Sequence, residues 1–180
     1  LREDLRHVQA RDVRLLLEMV RTGLNLELAA DEEVVGLACE LGPMQATLVP
    51  EKREEVTTEG GLNLTSEPVR SLVGRALERL SGSGIRTSLF VDPDPEALDA
   101  SRELGAHAVE LHTGEYANAS GDGERARELR RLREAAREGR RLGLAVHAGH
   151  GLTYENVVPV AAIPEIEELN IGHSVVSRAV

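Results

Sequence analysis

The chain has 180 residues, enough for one domain with a buried core, and its 41% hydrophobic and 29% charged side chains are ordinary for a globular protein. A net charge of -10 and a pI near 5.1 exclude the basic footprint of a nucleic-acid-binding surface, although a local group of Arg and His can still hold a phosphorylated ligand against that global sign. No apolar run is long enough to span a bilayer, no signal peptide is visible, and one cysteine, Cys39, has no internal disulfide partner, so the expectation is a cytoplasmic protein with neither nucleic-acid nor membrane partners.

The pattern alternates short apolar runs with amphipathic stretches. Over Asp12 to Arg21, residues Val13, Leu16, Leu17 and Val20 fall on one face and predict a surface helix. Leu24 to Leu28 reads as a strand, Asp31 to Leu41 as a helix and Ala46 to Val49 as a second strand. A polar connection, Pro50 to Gly61, precedes a helix over Pro68 to Leu80. Ile85 to Val91 is a β-rich run bounded by Gly84 and Pro93, the clearest strand in the chain. A helix at Pro95 to Leu104, a strand at Ala108 to Leu111 and a Gly-Asp-Gly loop follow. Glu124 to Arg141 predicts a long helix with Leu129, Leu132 and Ala136 on its apolar side. Then come a strand at Leu144 to Val146, a Gly-rich turn at Ala148 to Leu152 and a short helix near Val157. A last strand at Leu169 to Ile171 leads into a helix beginning around Ser174.

Six strands alternating with helices indicate parallel α/β structure, for which a (βα)8 TIM barrel and an open doubly wound sheet compete. No Gly-x-Gly-x-x-Gly follows a first strand, which removes the main sign of the nucleotide-binding sheet. A barrel typically needs about 250 residues. The sequence therefore predicts a single partial TIM-barrel domain over residues 1–180, with the first two strands missing. Because the chain starts at Leu1 rather than Met, its natural N-terminus is expected to be absent.

Barrel chemistry sits at the C-terminal ends of the strands. Those ends carry Glu27, Glu51, Asp92, Glu110 with His112, His147 with His150, and Gly172 with His173. Glu27, inside Leu-Asn-Leu-Glu-Leu, is costly to bury unless paired or used, and burial would raise its pKa toward the range of proton transfer. A solvent-facing Glu27, or one satisfying a structural Arg, explains the sequence as well, and Glu110 in Val-Glu-Leu-His carries the same two readings. His150 is more specific: it stands between two glycines directly after a strand, where backbone can approach a ligand and an imidazole can do acid–base work. Ile-Gly-His-Ser at Ile171 to Ser174 ends a strand and opens a helix, an anion-binding arrangement that gains force from Gly149 and Gly151; alone, Ser174 reads as an N-cap. Arg2 and His7 form a basic cluster that could face a phosphosugar, or a solvated charge run. The stretch from Glu51 to Gly61 reads as a surface loop or as one that folds over a ligand. The histidines lack a compact ligand pattern, so no metal is expected.

Several of these stretches resemble the pyridoxine 5'-phosphate synthase family. They are Leu-Arg-Glu-Asp-x-Arg-His at the start, Asn-Leu-Glu at Asn25 to Glu27, and Leu-Val-Pro-Glu-Lys-Arg-x-Glu-Val-Thr-Thr-Glu-Gly-Gly at Leu48 to Gly61. Glu-Leu-His-Thr-Gly at Glu110 to Gly114, Ala-Gly-His-Gly-Leu-Thr-Tyr at Ala148 to Tyr154 and Glu-Leu-Asn-Ile-Gly-His at Glu168 to His173 continue the match. The resemblance implies a (βα)8 barrel with extra helices, a homo-octamer built from dimers, and no metal or organic cofactor. It implies condensation of 1-deoxy-D-xylulose 5-phosphate with 3-amino-2-oxopropyl phosphate to pyridoxine 5'-phosphate, phosphate and water. By family pattern, Glu27 and His150 are general acid–base residues and Glu110 is a charge stabiliser. Arg2, His7 and Thr57 correspond to deoxyxylulose phosphate contacts, and Gly151, Gly172 and His173 to the aminoketone phosphate site. The family's first-strand Asn-x-Asp-His motif, a catalytic histidine just before the position of Leu1 and most of the final helix have no counterpart here. Residues 1–180 alone are therefore expected to be poorly soluble and inactive. A metal-dependent barrel hydrolase and a non-enzymatic binding protein are the alternatives, and the sequence has a positive motif for neither.

Overall fold

A computed structural model describes residues 8–50 and 60–180. The described elements run α1 (Ala10–Met19), β1 (Asn25–Leu28), α2 (Glu32–Leu41), β2 (Gln45–Leu48), α3 (Glu67–Gly82), β3 (Arg86–Val91) and α4 (Pro95–Glu103). They continue with β4 (Ala108–His112), α5 (Gly114–Asn118), α6 (Asp122–Arg141), β5 (Ala145–Gly149), α7 (Val157–Ala161), β6 (Glu168–Asn170) and α8 (His173–Ala179). Local chemistry marks several of these boundaries. The Asp31 carboxylate accepts from the Glu33 and Val34 amides at 2.9 and 3.1 Å, satisfying two donors that the first turn of α2 leaves open. Gly42, at φ 64°, then ends that helix in the left-handed region. Asp94 caps α4 in the same way, with Pro95 at its first position.

All five strand pairings are parallel and the order is β1-β2-β3-β4-β5-β6, each strand beside its neighbour in sequence. A doubly wound sheet reverses its order at a switch point, and none occurs here. Repeated right-handed crossovers in one direction put every connecting helix on the same side. The sheet curls into a half-barrel with helices outside.

Alternation along the strands separates two surfaces. Leu26, Leu28, Leu89, Val91, Val109 and Val146 point outward into the core shared with the helices, where Val34, Leu77, Leu98 and Leu132 meet them. Each fully buried leucine there contributes about 1.5–3 kcal/mol relative to exposure. The inward surface is polar: the Thr47 hydroxyl donates to Asn25 at 2.9 Å, Asn170 donates to Glu110, and His147 faces Glu168. A core fills one side of the sheet, and chemistry is left to the other.

Some boundaries differ from the sequence reading. The strand expected at Leu144 to Val146 runs from Ala145 to Gly149, because hydrogen bonding with β4 and β6 continues through the glycine. His147 therefore lies within the strand, 3% exposed, rather than at its end. β2 sits one residue earlier than expected, β6 likewise, and α6 begins at Asp122 within the predicted Gly-Asp-Gly loop. The short helix α5 had no periodic signal; Tyr116 anchors it by donating from its hydroxyl to the Asn156 carbonyl at 2.7 Å. Among the described residues no helix is long and apolar enough to cross a membrane.

Candidate active site

The polar surface is richest where the strands end. On β1 the pattern Asn-Leu-Glu-Leu buries both leucines outward and turns Asn25 and Glu27 inward, with Glu27 exposed toward the concave side. On β4 the same alternation turns Glu110 and His112 inward between Val109 and Leu111. Glu110 is 1% exposed. Its Oε2 accepts from the Asn170 amide at 2.7 Å, while Oε1 has no hydrogen-bond partner among the described residues. Burial, followed by the charge of Glu27, raises the Glu110 carboxyl from its ordinary range to about 7. A carboxyl poised there exchanges protons near neutral pH.

His150 reaches the same region from the turn after β5. Its φ of 77° puts a non-glycine residue in the left-handed region, and Gly151 follows at φ 74°. Such a backbone costs of order 1 kcal/mol and persists only when its surroundings hold it. Here the buried Thr113 hydroxyl donates to the carbonyls of both Gly149 and His150, and the Thr113 amide donates to Gly149 at 2.9 Å. Gly149 has no room for a side chain, because a Cβ would run into the Glu110 carboxylate.

A cavity of about 620 Å³ joins these groups, lined by Glu27, His150, Gly151, Asn170, Gly172 and His173, among others. Glu110 stands behind its wall through the Asn170 hydrogen bond. The Ser174 hydroxyl donates to the Leu152 carbonyl at 2.9 Å, tying the start of α8 to the loop after β5. Five of the candidate residues from the sequence thus share one cavity, with Glu110 in contact through Asn170. Arg2, His7, Glu51 and Thr57 lie outside the described residues. Among the described residues no three His, Cys, Asp or Glu side chains are grouped to hold a metal ion.

The model of the family described as pyridoxal phosphate biosynthesis protein PdxJ matches residues 1–180. The chain belongs to this family. The pyridoxine 5'-phosphate synthase of Synechococcus sp. (strain JA-2-3B'a(2-13)) is 58% identical over 182 residues, covering 100% of this chain and 74% of that protein. The pyridoxine 5'-phosphate synthase of Syntrophotalea carbinolica is 53% identical over 180 residues, again with 100% and 74% coverage. Among solved structures, a xylose isomerase domain protein from Planctomyces limnophilus superposes with TM-score 0.52 at 13% identity, over 83% of this chain and 62% of that one. The PaMucR phosphodiesterase, in a c-di-GMP complex, gives TM-score 0.55 at 19% identity, over 86% of this chain and 62% of that one. These two likenesses bear on the fold alone.

For several groups of this PdxJ-family site the sequence did not show what they touch. Asn170 is an unremarkable β6 residue until its amide is seen on Glu110, and Thr113 acts only through the backbone of another strand. Phe90, the single phenylalanine of the chain, faces inward with its ring centroid 4.4 Å from that of His150. Asp92 and His112 pair at 3.0 Å beside a second cavity of about 540 Å³. The His112 hydrogen bond is the largest of the effects that hold the Asp92 carboxyl below its ordinary range. His147, 3.8 Å from Glu168, is held below its usual pKa mainly by burial.

Proposed function

We propose that this protein is a pyridoxine 5'-phosphate synthase of vitamin B6 biosynthesis. It condenses 1-deoxy-D-xylulose 5-phosphate with 3-amino-2-oxopropyl phosphate to give pyridoxine 5'-phosphate, phosphate and water. The observation that carries this reading is membership of the PdxJ family over the whole chain, together with the joining of Glu27, His150 and the Gly172–His173 segment in one cavity at the strand ends.

Ring-closing condensation moves protons repeatedly, and the cavity holds groups suited to it. Glu27, from β1, and His150, from the turn after β5, take the general acid–base roles in this cavity. Glu110, with a carboxyl poised near 7, stabilises charge that develops beside it and is oriented by Asn170. Gly151, Gly172 and His173 form the phosphate pocket for the aminoketone, using backbone amides at the strand-to-helix junction. Arg2, His7 and Thr57 bind the deoxyxylulose phosphate. The whole protein folds as one (βα)8 barrel, of which the six parallel strands described here form an arc, and it assembles as a homo-octamer in the cytoplasm.

The test uses the full-length protein with both phosphorylated substrates, following pyridoxine 5'-phosphate and released phosphate together. Both products should appear only when both substrates are present. Tight binding of the substrates with no ring product would overturn the assignment in favour of a binding protein.

A further inference from the structure

Beside His150 lies a group of side chains that acid–base roles for Glu27, His150 and Glu110 do not use. Phe90 on β3 stacks at a tilt of 33° against the His150 ring, with centroids 4.4 Å apart. His112 on β4 stands edge-to-face to both rings, 5.2 Å from Phe90 and 5.7 Å from His150. Asp92, just after β3, lies 3.0 Å from the His112 Nδ1. The same Asp92 carboxylate accepts the Gly61 amide at 3.1 Å, so its own position is fixed twice. All three are placed by strand alternation, since residues 90, 92, 110 and 112 face inward while Val91 and Leu111 face the helices.

We propose that Phe90 and the Asp92–His112 pair are positioning residues for His150, holding its imidazole in one orientation and favouring its protonated form. The proposal rests on the acid–base role of His150 given above. An ionised carboxylate only accepts, so His112 must present its Nδ1–H to Asp92, and this hydrogen bond fixes the orientation of its ring. A locked ring gives the His150 imidazole a fixed wall on one side, and Phe90 gives it a second. The charge argument points the same way. The negative face of the Phe90 ring attracts an imidazolium more than a neutral imidazole, and the Asp92 charge behind His112 adds to this. Among the described residues, the ionisable groups around His150 besides Asp92 are His112 on β4, Glu27 on β1 and His173 at the start of α8, with Glu110 beneath Gly149. Glu27 favours the imidazolium, and a protonated His112 or His173 opposes it; Glu27 and His173 are not altered by changes at Phe90 or Asp92.

The experiment compares the full-length wild type with Asp92→Asn, Phe90→Leu, Phe90→Tyr and His150→Asn. Asparagine keeps an oxygen for the Gly61 amide while removing the charge. Turnover and KM for pyridoxine 5'-phosphate formation are measured across pH, and the His150 imidazole is titrated by NMR without substrate. We expect Asp92→Asn and Phe90→Leu to lower kcat roughly 10-fold with KM unchanged, part of the 10²-fold or more expected of the acid–base group itself. Their His150 titration should move about half a pH unit lower, and Phe90→Tyr should restore both readouts. If either variant misfolds, the other still decides. Wild-type kcat and an unmoved His150 titration in both variants would overturn the positioning role. Full turnover in His150→Asn would instead remove the acid–base assignment of His150, and an NMR shift in Asp92→Asn would then still stand as an effect on the imidazole alone.

Discussion

Replacing Glu110 with glutamine should change how stability depends on pH, by an amount that follows from its surroundings. The carboxyl is raised from 4.5 to about 7, first by burial and second by Glu27, while Asn170 pulls in the other direction. A raised folded pKa means that the folded protein keeps a proton which the unfolded chain releases. The resulting stability is fully present below pH 4.5 and is lost as pH rises through 7. At about 1.36 kcal/mol per unit the full loss is about 3 kcal/mol, most of it between pH 5 and pH 8. Glu110→Gln holds the site neutral at every pH and keeps an oxygen for the Asn170 amide. Its new amide protons replace an oxygen that has no hydrogen-bond partner among the described residues, a fixed cost that cancels when two pH values are compared. Urea unfolding of the wild type and Glu110→Gln at pH 5 and pH 8 is the assay. The wild type should lose about 2–3 kcal/mol more than the variant over that interval. Parallel changes in the two proteins would show that Glu110 is already ionised in the fold at pH 5, and the argument from burial would fail.

Glu27→Gln should lower turnover by roughly 10²-fold or more in steady-state assays of the full-length protein, and a rate equal to wild type would take Glu27 out of the mechanism. The same variant should let Glu110 titrate at lower pH, since the Glu27 charge is the second cause of its rise, and carboxyl NMR can follow this directly. Gly172→Asp should abolish binding of an inert phosphate analogue in calorimetry by adding a like charge to the pocket; retained affinity would put the anion elsewhere. Asp31→Ala should cost about 1 kcal/mol in thermal or urea unfolding through the lost cap of α2, with kcat unchanged, because among the described residues Asp31 hydrogen-bonds the helix start, away from the cavity.

Periodicity and punctuation in the sequence were enough for the alternation of strands and helices, since strand and helix repeats of side chains are local properties. β3 between Gly84 and Pro93, and α2 between Asp31 and Gly42, could be read almost residue by residue for that reason. The family-matching motifs likewise lie in contiguous stretches, so the resemblance to pyridoxine 5'-phosphate synthases needed no fold. What required tertiary structure was everything that depends on which strand lies beside which. The register of β4, β5 and β6 puts Glu110 level with His147 and Glu168, and brings Asn170 onto its carboxylate from 60 residues away. Burial of that carboxyl, and hence its shift to about 7, is a product of those neighbours and of Glu27 from β1. The end of β5 was misplaced because a Gly-rich stretch reads as a turn, whereas ladder bonds from both neighbours carry the strand to Gly149. A residue such as Glu27 had two equal readings in sequence because alternation says which face a side chain takes, and only the curl of the sheet decides that this face lines a cavity shared with His150.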